Sequence, residues 1–233
     1  MQDFWIGTVH TLVYFVICAS VALLLRKLIH IPDEIFRKLL HCILLGVLPV
    51  YVFGFKYWWT AAVSCVVFAA VVYPVLCFFE RFRTYSQMVT ERKKGELKSS
   101  LLLVFAMFAV VISVCWGGLS DRWLVLCCVY AWGFGDAAAA LIGKRYGKHK
   151  LAGGKKSWEG TISMFVVSFT CVFSLLLLRG NLPWYACLLS ALPTAAAVAA
   201  TELYTPGGFD TVTCPICAMV VLLPCLYGFG EIL

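Results

Sequence analysis

The sequence predicts an all-α integral membrane protein, a polytopic bundle of about eight transmembrane helices, and three observations carry that expectation. Hydrophobic residues make up 62% of the 233 and charged residues only 13%, about half the charge of a typical soluble domain. The mean hydropathy is +0.91. The apolar residues also lie in continuous blocks, where an amphipathic helix would space them among polar positions. A closed barrel would need shorter alternating segments, so helices are the only spanning option for these blocks.

A crossing helix needs ~20 apolar residues, and the chain offers eight such stretches: 5–25, 39–55, 58–79, 101–118, 123–143, 161–178, 184–201 and 212–230. The second is short and the last contains Pro215 and Pro224, so seven crossings would also be compatible. Residues 1–5 lack the basic start of a secretory signal and no small-residue cleavage site follows, so the first block is expected to be a true crossing. With no internal repeat and no low-complexity tract, a single membrane domain over 1–233 is expected.

Orientation follows from the cations. The segments after the first, third and fifth blocks hold Arg26, Lys27, Arg37 and Lys38, then Arg81, Arg83, Arg92, Lys93, Lys94 and Lys98, then Lys144, Arg145, Lys148, Lys150, Lys155 and Lys156. The other side has only Lys56, Arg122 and Arg179. This predicts a cytoplasmic face for the former set and places both termini on the opposite side. The formal charge of +7 therefore reflects topology, and no nucleic-acid partner is expected.

Twelve cysteines are present, and Cys18, Cys65, Cys115, Cys127, Cys128, Cys171 and Cys187 fall inside the blocks, where they read as small packing residues. Cys214 and Cys217 form a lone C-x-x-C without the second pair of a zinc site. Trp58, Trp59, Trp123 and Trp184 stand at block ends as interfacial anchors.

Within all eight blocks the only Asp, Glu, Lys or Arg is Asp136. A carboxylate at that depth costs roughly 2.5–3.5 kcal/mol on insertion scales. Either it bonds a neighbouring helix or it serves chemistry. Ala140 and Gly143 share its helix face, and Ala137 to Ala140 are all small, so another helix or a ligand can approach closely.

The segment 143–160 that follows has six cations, one carboxylate, Glu159, and five glycines. Gly143, Gly154 and Gly160 would let backbone N–H groups form an anion nest. Lys144, Lys148, Lys155 and Lys156 would supply charge, and Ser157 would cap the next helix and aim its N-terminus at an anion. The spacing is not that of a Walker A loop, because Lys156 stands where Ser or Thr is required. Contact with anionic headgroups would explain the same cations.

Glu202 and Asp210 lie in a segment with no nearby cation in sequence. With Asp136 they would suit Mg²⁺, which takes a few carboxylates and phosphate oxygens. Arg37, Lys38 and His41 open the second block, with Arg37 and His41 one turn apart. They fit phosphate contact or proton handling, and equally interfacial snorkelling.

Gly135-Asp-Ala-Ala-Ala-Ala-Leu-Ile-Gly-Lys-Arg-Tyr-Gly-Lys148 followed by Gly154-Lys-Lys-Ser-Trp-Glu-Gly-Thr161 resembles the polyprenol kinase family: dolichol kinase, phytol kinase and the CTP-dependent diacylglycerol kinases. The stretch is also similar to phosphatidate cytidylyltransferases. Arg37-Lys-Leu-Leu-His41 and the Glu202 to Pro215 segment look like further kinase-family motifs, and the late cytidylyltransferase signature is missing. Thr211 stands where the kinases carry Asn after the Asp.

The resemblance implies γ-phosphoryl transfer from CTP, or another nucleoside triphosphate, to the hydroxyl of a membrane lipid alcohol, with Mg²⁺. In that scheme Asp136, Lys144 and His41 are catalytic candidates, and Asp136, Glu202 and Asp210 are metal ligands. Arg37, Lys38, Gly143, Lys148, Gly154, Lys155, Lys156, Ser157, Glu159 and Gly160 would bind nucleotide. His41, Glu96 and Asp136 are candidates for the base. The alternative is a phosphatidate cytidylyltransferase, and the third reading a transporter using Asp136 for ion coupling.

Overall fold

The computed structural model describes residues 2–81, 95–151, 156–205 and 208–230. Among these the fold is all-α, with eight helices long and apolar enough to cross a membrane. Many large apolar side chains point outward, among them Val16, Val66, Val166 and Val220. Such an exterior suits hydrocarbon, and the chain is an integral membrane protein. Contacts cluster into two compact units, Met1–Ser113 and Val114–Leu233.

The first unit contains α1 (Gln2–Leu28), α2 (Asp33–Gly46), α3 (Leu48–Gly54), α4 (Trp58–Phe79) and α5 (Glu96–Val111). The short second block is thus a longer element than expected. Its charged lead-in, Asp33 to Lys38, is already helical, and the run breaks at Val47, just before Pro49 enters the first turn of α3. Proline is tolerated there because the N–H it lacks would have had no intrahelical partner. An aromatic cluster fills this unit, with Phe68 4.9 Å from Phe15 and 4.8 Å from Phe105, ring centre to ring centre. Asp3 joins the starts of α1 and α4 by accepting from the Lys56 N–H at 2.9 Å and the Thr60 hydroxyl at 2.7 Å.

The boundary between units falls in a π-helical stretch, Ile112–Gly118. The second unit then contains α6 (Arg122–Tyr146), α7 (Trp158–Arg179), α8 (Trp184–Tyr204) and α9 (Asp210–Gly228). Pro193, Pro215 and Pro224 sit inside helices, a placement membrane bundles allow because neighbouring helices and hydroxyl side chains satisfy the freed carbonyls. One feature departs from the all-helical expectation: Lys150–Leu151 (β1) pairs antiparallel with Lys156–Ser157 (β2), turning part of the basic loop into a small hairpin.

Both ends of the α6–α7 pair are fastened. At one end Asp121 caps α6, accepting from Trp123 N at 2.9 Å and Leu124 N at 3.3 Å, and it also takes Arg179 Nε from the last turn of α7 at 2.7 Å. The pair is nearly buried, with 13% of the Asp121 and 6% of the Arg179 side chain exposed. Along the helices the approach is close, because Ser168 Oγ donates to the Ala131 carbonyl and Gly135 lies against Ser168 and Met164.

Candidate active site

The other end of the α6–α7 pair is where the sequence motif becomes a shape. Ser157 Oγ caps α7 by accepting from Gly160 N at 3.2 Å. Gly143 and Gly160 meet backbone to backbone: a Cβ on Gly160 would lie 3.0 Å from the Ala139 carbonyl oxygen and 3.4 Å from the Gly143 Cα. A Cβ on Gly143 would lie 3.2 Å from Ser157 Oγ. Close helix packing thus favours glycine at both positions, as the small face around Asp136 suggested for Gly143.

Glu159 closes the turn behind them. Its Oε1 accepts from Lys148 N and His149 N, both at 3.2 Å, and meets His149 Nδ1 at 2.8 Å. The backbone of the basic loop is therefore tied down at a carboxylate, while the Lys144 and Lys148 side chains are exposed. Gly154 and Lys155 lie outside the described residues.

Helix periodicity puts Trp132 and Asp136 one turn apart on one face of α6, and the structure directs that face at α8 and α9. The buried Trp132 indole donates to Asp210 Oδ2 at 3.4 Å. Asp136, Glu202 and Asp210, the three acids singled out in the sequence, come from three helices, are each half-buried, and lie near enough for the charges of Asp136 and Asp210 to be felt at Glu202. Glu202 belongs to the last turn of α8, where the sequence expected a loop.

Lys156 is the cation of this cluster. Its ammonium lies 2.9 Å from Glu202 Oε1, donates to the Glu202 backbone carbonyl, and reaches the Thr205 carbonyl at 3.5 Å. The β2 strand carries it there from the basic loop. Sequence spacing concealed this, because 46 residues separate the partners. Trp132 was missed as well, although its position one turn before Asp136 was a usable signal.

The donor set has the chemistry of a hard divalent cation, three carboxylates with one lysine among them. Among the described residues no group of three or more His, Cys, Asp or Glu stands close enough to hold a metal by itself. Mg²⁺ commonly takes only one or two carboxylates and completes its shell with water and substrate phosphate, so the set fits a metal that arrives with a nucleotide.

Arg37, Lys38 and His41 belong to α2 in the first unit. Arg37 pairs with Glu34 at 2.8 Å one turn earlier, Lys38 is buried and His41 half-buried. The side chain of Glu96 lies outside the described residues.

No family model matches the chain, and no solved structure matches it. A phytol kinase of Synechocystis sp. is 30% identical over 223 residues, covering 91% of this chain and 88% of that protein. The chain belongs to the polyprenol and phytol kinase family. That membership makes it a membrane enzyme of lipid metabolism in the broad sense.

Proposed function

We propose that the chain transfers the γ-phosphoryl group of CTP, or of another nucleoside triphosphate, to the hydroxyl of a lipid alcohol of the polyprenol, phytol-like or diacylglycerol class. The observation that carries the reading is the Lys156–Glu202 ion pair, with Asp136 and Asp210 near enough to Glu202 for their charges to be felt, within a family that includes a phytol kinase. The reading uses residues of the second unit alone.

Phosphoryl transfer asks little covalent chemistry of a protein, and catalysis is mostly positioning and charge stabilisation. The alcohol oxygen attacks the γ-phosphorus, an O–P bond forms, the bond to the β,γ-bridging oxygen breaks, and the nucleoside diphosphate leaves. The hydroxyl proton passes to whichever carboxylate of the cluster does not hold the metal, and then to water. Mg²⁺ held by Asp136 with Glu202 or Asp210 would supply charge neutralisation at the phosphates.

Lys156 has a second task in this scheme. A lysine bound to Glu202 keeps a carboxylate from standing uncompensated in a half-buried site, and its flexible stem lets the ammonium turn toward phosphate. Lys144 in the last turn of α6 and Lys148 just beyond that helix, both exposed, add charge at the mouth, and Lys155 follows the same logic from sequence. The tie from Glu159 to the Lys148 and His149 amides holds the loop where these charges are useful. Orientation in the membrane is part of the proposal: this end faces the cytoplasm, where nucleotides are.

The test is Asp136→Asn in the full chain. The change is nearly isosteric, so the variant should insert and purify as the wild type does while γ-phosphoryl transfer falls by at least ~10²-fold, the scale on which transition-state charge partners act. Transfer at near the wild-type rate would refute the assignment.

A further inference from the structure

The end of α8 and the start of α9 enclose an open groove of ≈ 610 Å³ lined by Ala200, Thr201, Tyr204, Thr205, Phe209 and Thr213. No lining residue is charged. Among the described residues the lining itself offers a nucleoside triphosphate no cation, so the groove is chemically unlike the acidic and lysine cluster beside it. Tyr204 and Phe209 stand exposed, as aromatic side chains do where a membrane meets water.

The hydroxyl groups of the lining have acceptor capacity to spare. Thr205 Oγ1 lies 2.7 Å from the Thr201 carbonyl oxygen, Thr213 Oγ1 lies 3.1 Å from the Phe209 carbonyl oxygen, and the two hydroxyls are 3.1 Å apart. Three contacts share two hydrogens, and each oxygen has two lone pairs, so the pair can accept from an incoming O–H. The same wall joins the acidic site, because the Thr205 carbonyl and the Glu202 carboxylate both meet the Lys156 ammonium. Below the groove, α9 turns Ile216 and Val220 outward, a path that an aliphatic chain can follow into the hydrocarbon.

We infer that this groove receives the head of a neutral long-chain alcohol, its hydroxyl on the Thr205–Thr213 pair and its chain along the outer face of α9. The inference rests on the lipid-alcohol kinase reading and gives that reading its substrate side. A second groove, ≈ 520 Å³ between α6 and α7, has Glu159 as its only charged residue, and one oxygen of that carboxylate is already engaged by Lys148 and His149. It is the competing location.

The experiment uses the full chain in nanodiscs and a long-chain isoprenoid alcohol with a diazirine next to its hydroxyl end. After illumination, adducts should map to residues 200–213 and disappear with excess unmodified alcohol. Competed adducts at 138–167, or adducts at 200–213 that excess alcohol does not reduce, would overturn the inference. Thr213→Val keeps the side-chain shape and should raise the KM for the long-chain alcohol by about tenfold, the scale of one lost hydrogen bond at a polar site, with the nucleotide KM unchanged. An unchanged alcohol KM would count against it. Labelling needs no turnover, so the two readings fail separately. Label at 200–213 without phosphorylation of any alcohol would sink the kinase reading, and phosphorylation with label elsewhere would sink this one.

Discussion

Lys156 is the residue on which two functions meet. In the structure its ammonium neutralises Glu202, and in the proposed reaction it must also serve phosphate. Lys156→Ala should raise the nucleotide KM by roughly tenfold or more, as expected for a charge-assisted hydrogen bond. Lys156→Arg should recover little of this, since a planar fork does not reproduce a point charge at a carboxylate shared with two backbone carbonyls. Steady-state kinetics with varied nucleotide gives the answer, and an unchanged KM would confine Lys156 to holding α8. At Glu159 the readout is different. Its carboxylate protects the Lys148 and His149 amides, so in Glu159→Ala those amides should exchange at least ~10-fold faster by hydrogen–deuterium exchange, while amides in the middle of α7 stay protected. Asp136 stood out in the sequence as a candidate from one fact, its depth in an apolar helix. Its partners were legible only as acids on the same side, because which helices bring them together depends on side-chain packing that apolar composition does not encode.

Among the elements, α6 and α7 form the rigid pair that presents Asp136. Their two ends are fastened differently, and the consequences of loosening them should differ. Asp121→Ala removes a helix cap and leaves the nearly buried Arg179 without its carboxylate. We expect a loss of about 2–4 kcal/mol, combining a cap with a broken buried pair, seen as a lower Tm with catalysis per folded molecule retained. Gly160→Val should act at the other end. Its side chain would meet the Ala139 carbonyl, force α7 away from α6, and lower both Tm and turnover. Retained turnover in Gly160→Val would show that the motif glycines are not needed for this packing. The glycines stood out in sequence, but their spacing is equally compatible with a phosphate nest and with close helix contact. The sequence has no signal that distinguishes the two until α6 and α7 are seen side by side. The ends of the crossings were blurred for a related reason: charged first and last turns such as Asp33 to Lys38 and Glu202 stay helical beyond the apolar block, because backbone hydrogen bonds continue past the edge of the hydrocarbon.

For the molecule as a whole, the crossings themselves were the most legible feature, since a bilayer imposes a length and a composition on every one of them. Each of the eight apolar blocks coincides with a helix of crossing length. The division of contacts into two units had no counterpart in composition, because both units are built of the same apolar alphabet. The strong asymmetry of lysine and arginine predicts that tags on both termini are cleaved by protease from the same side of sealed vesicles, and that a protease site inserted after Lys148 is cut only from the other. Cleavage of all three from one side would contradict the proposed cytoplasmic active face. The central claim is the identity of the group transferred. Purified protein incubated with a lipid alcohol and CTP labelled in turn at the γ- and the α-phosphate reads it directly: the account predicts that the γ label moves to the lipid and the α label stays with the nucleotide, and α label on the lipid would contradict it.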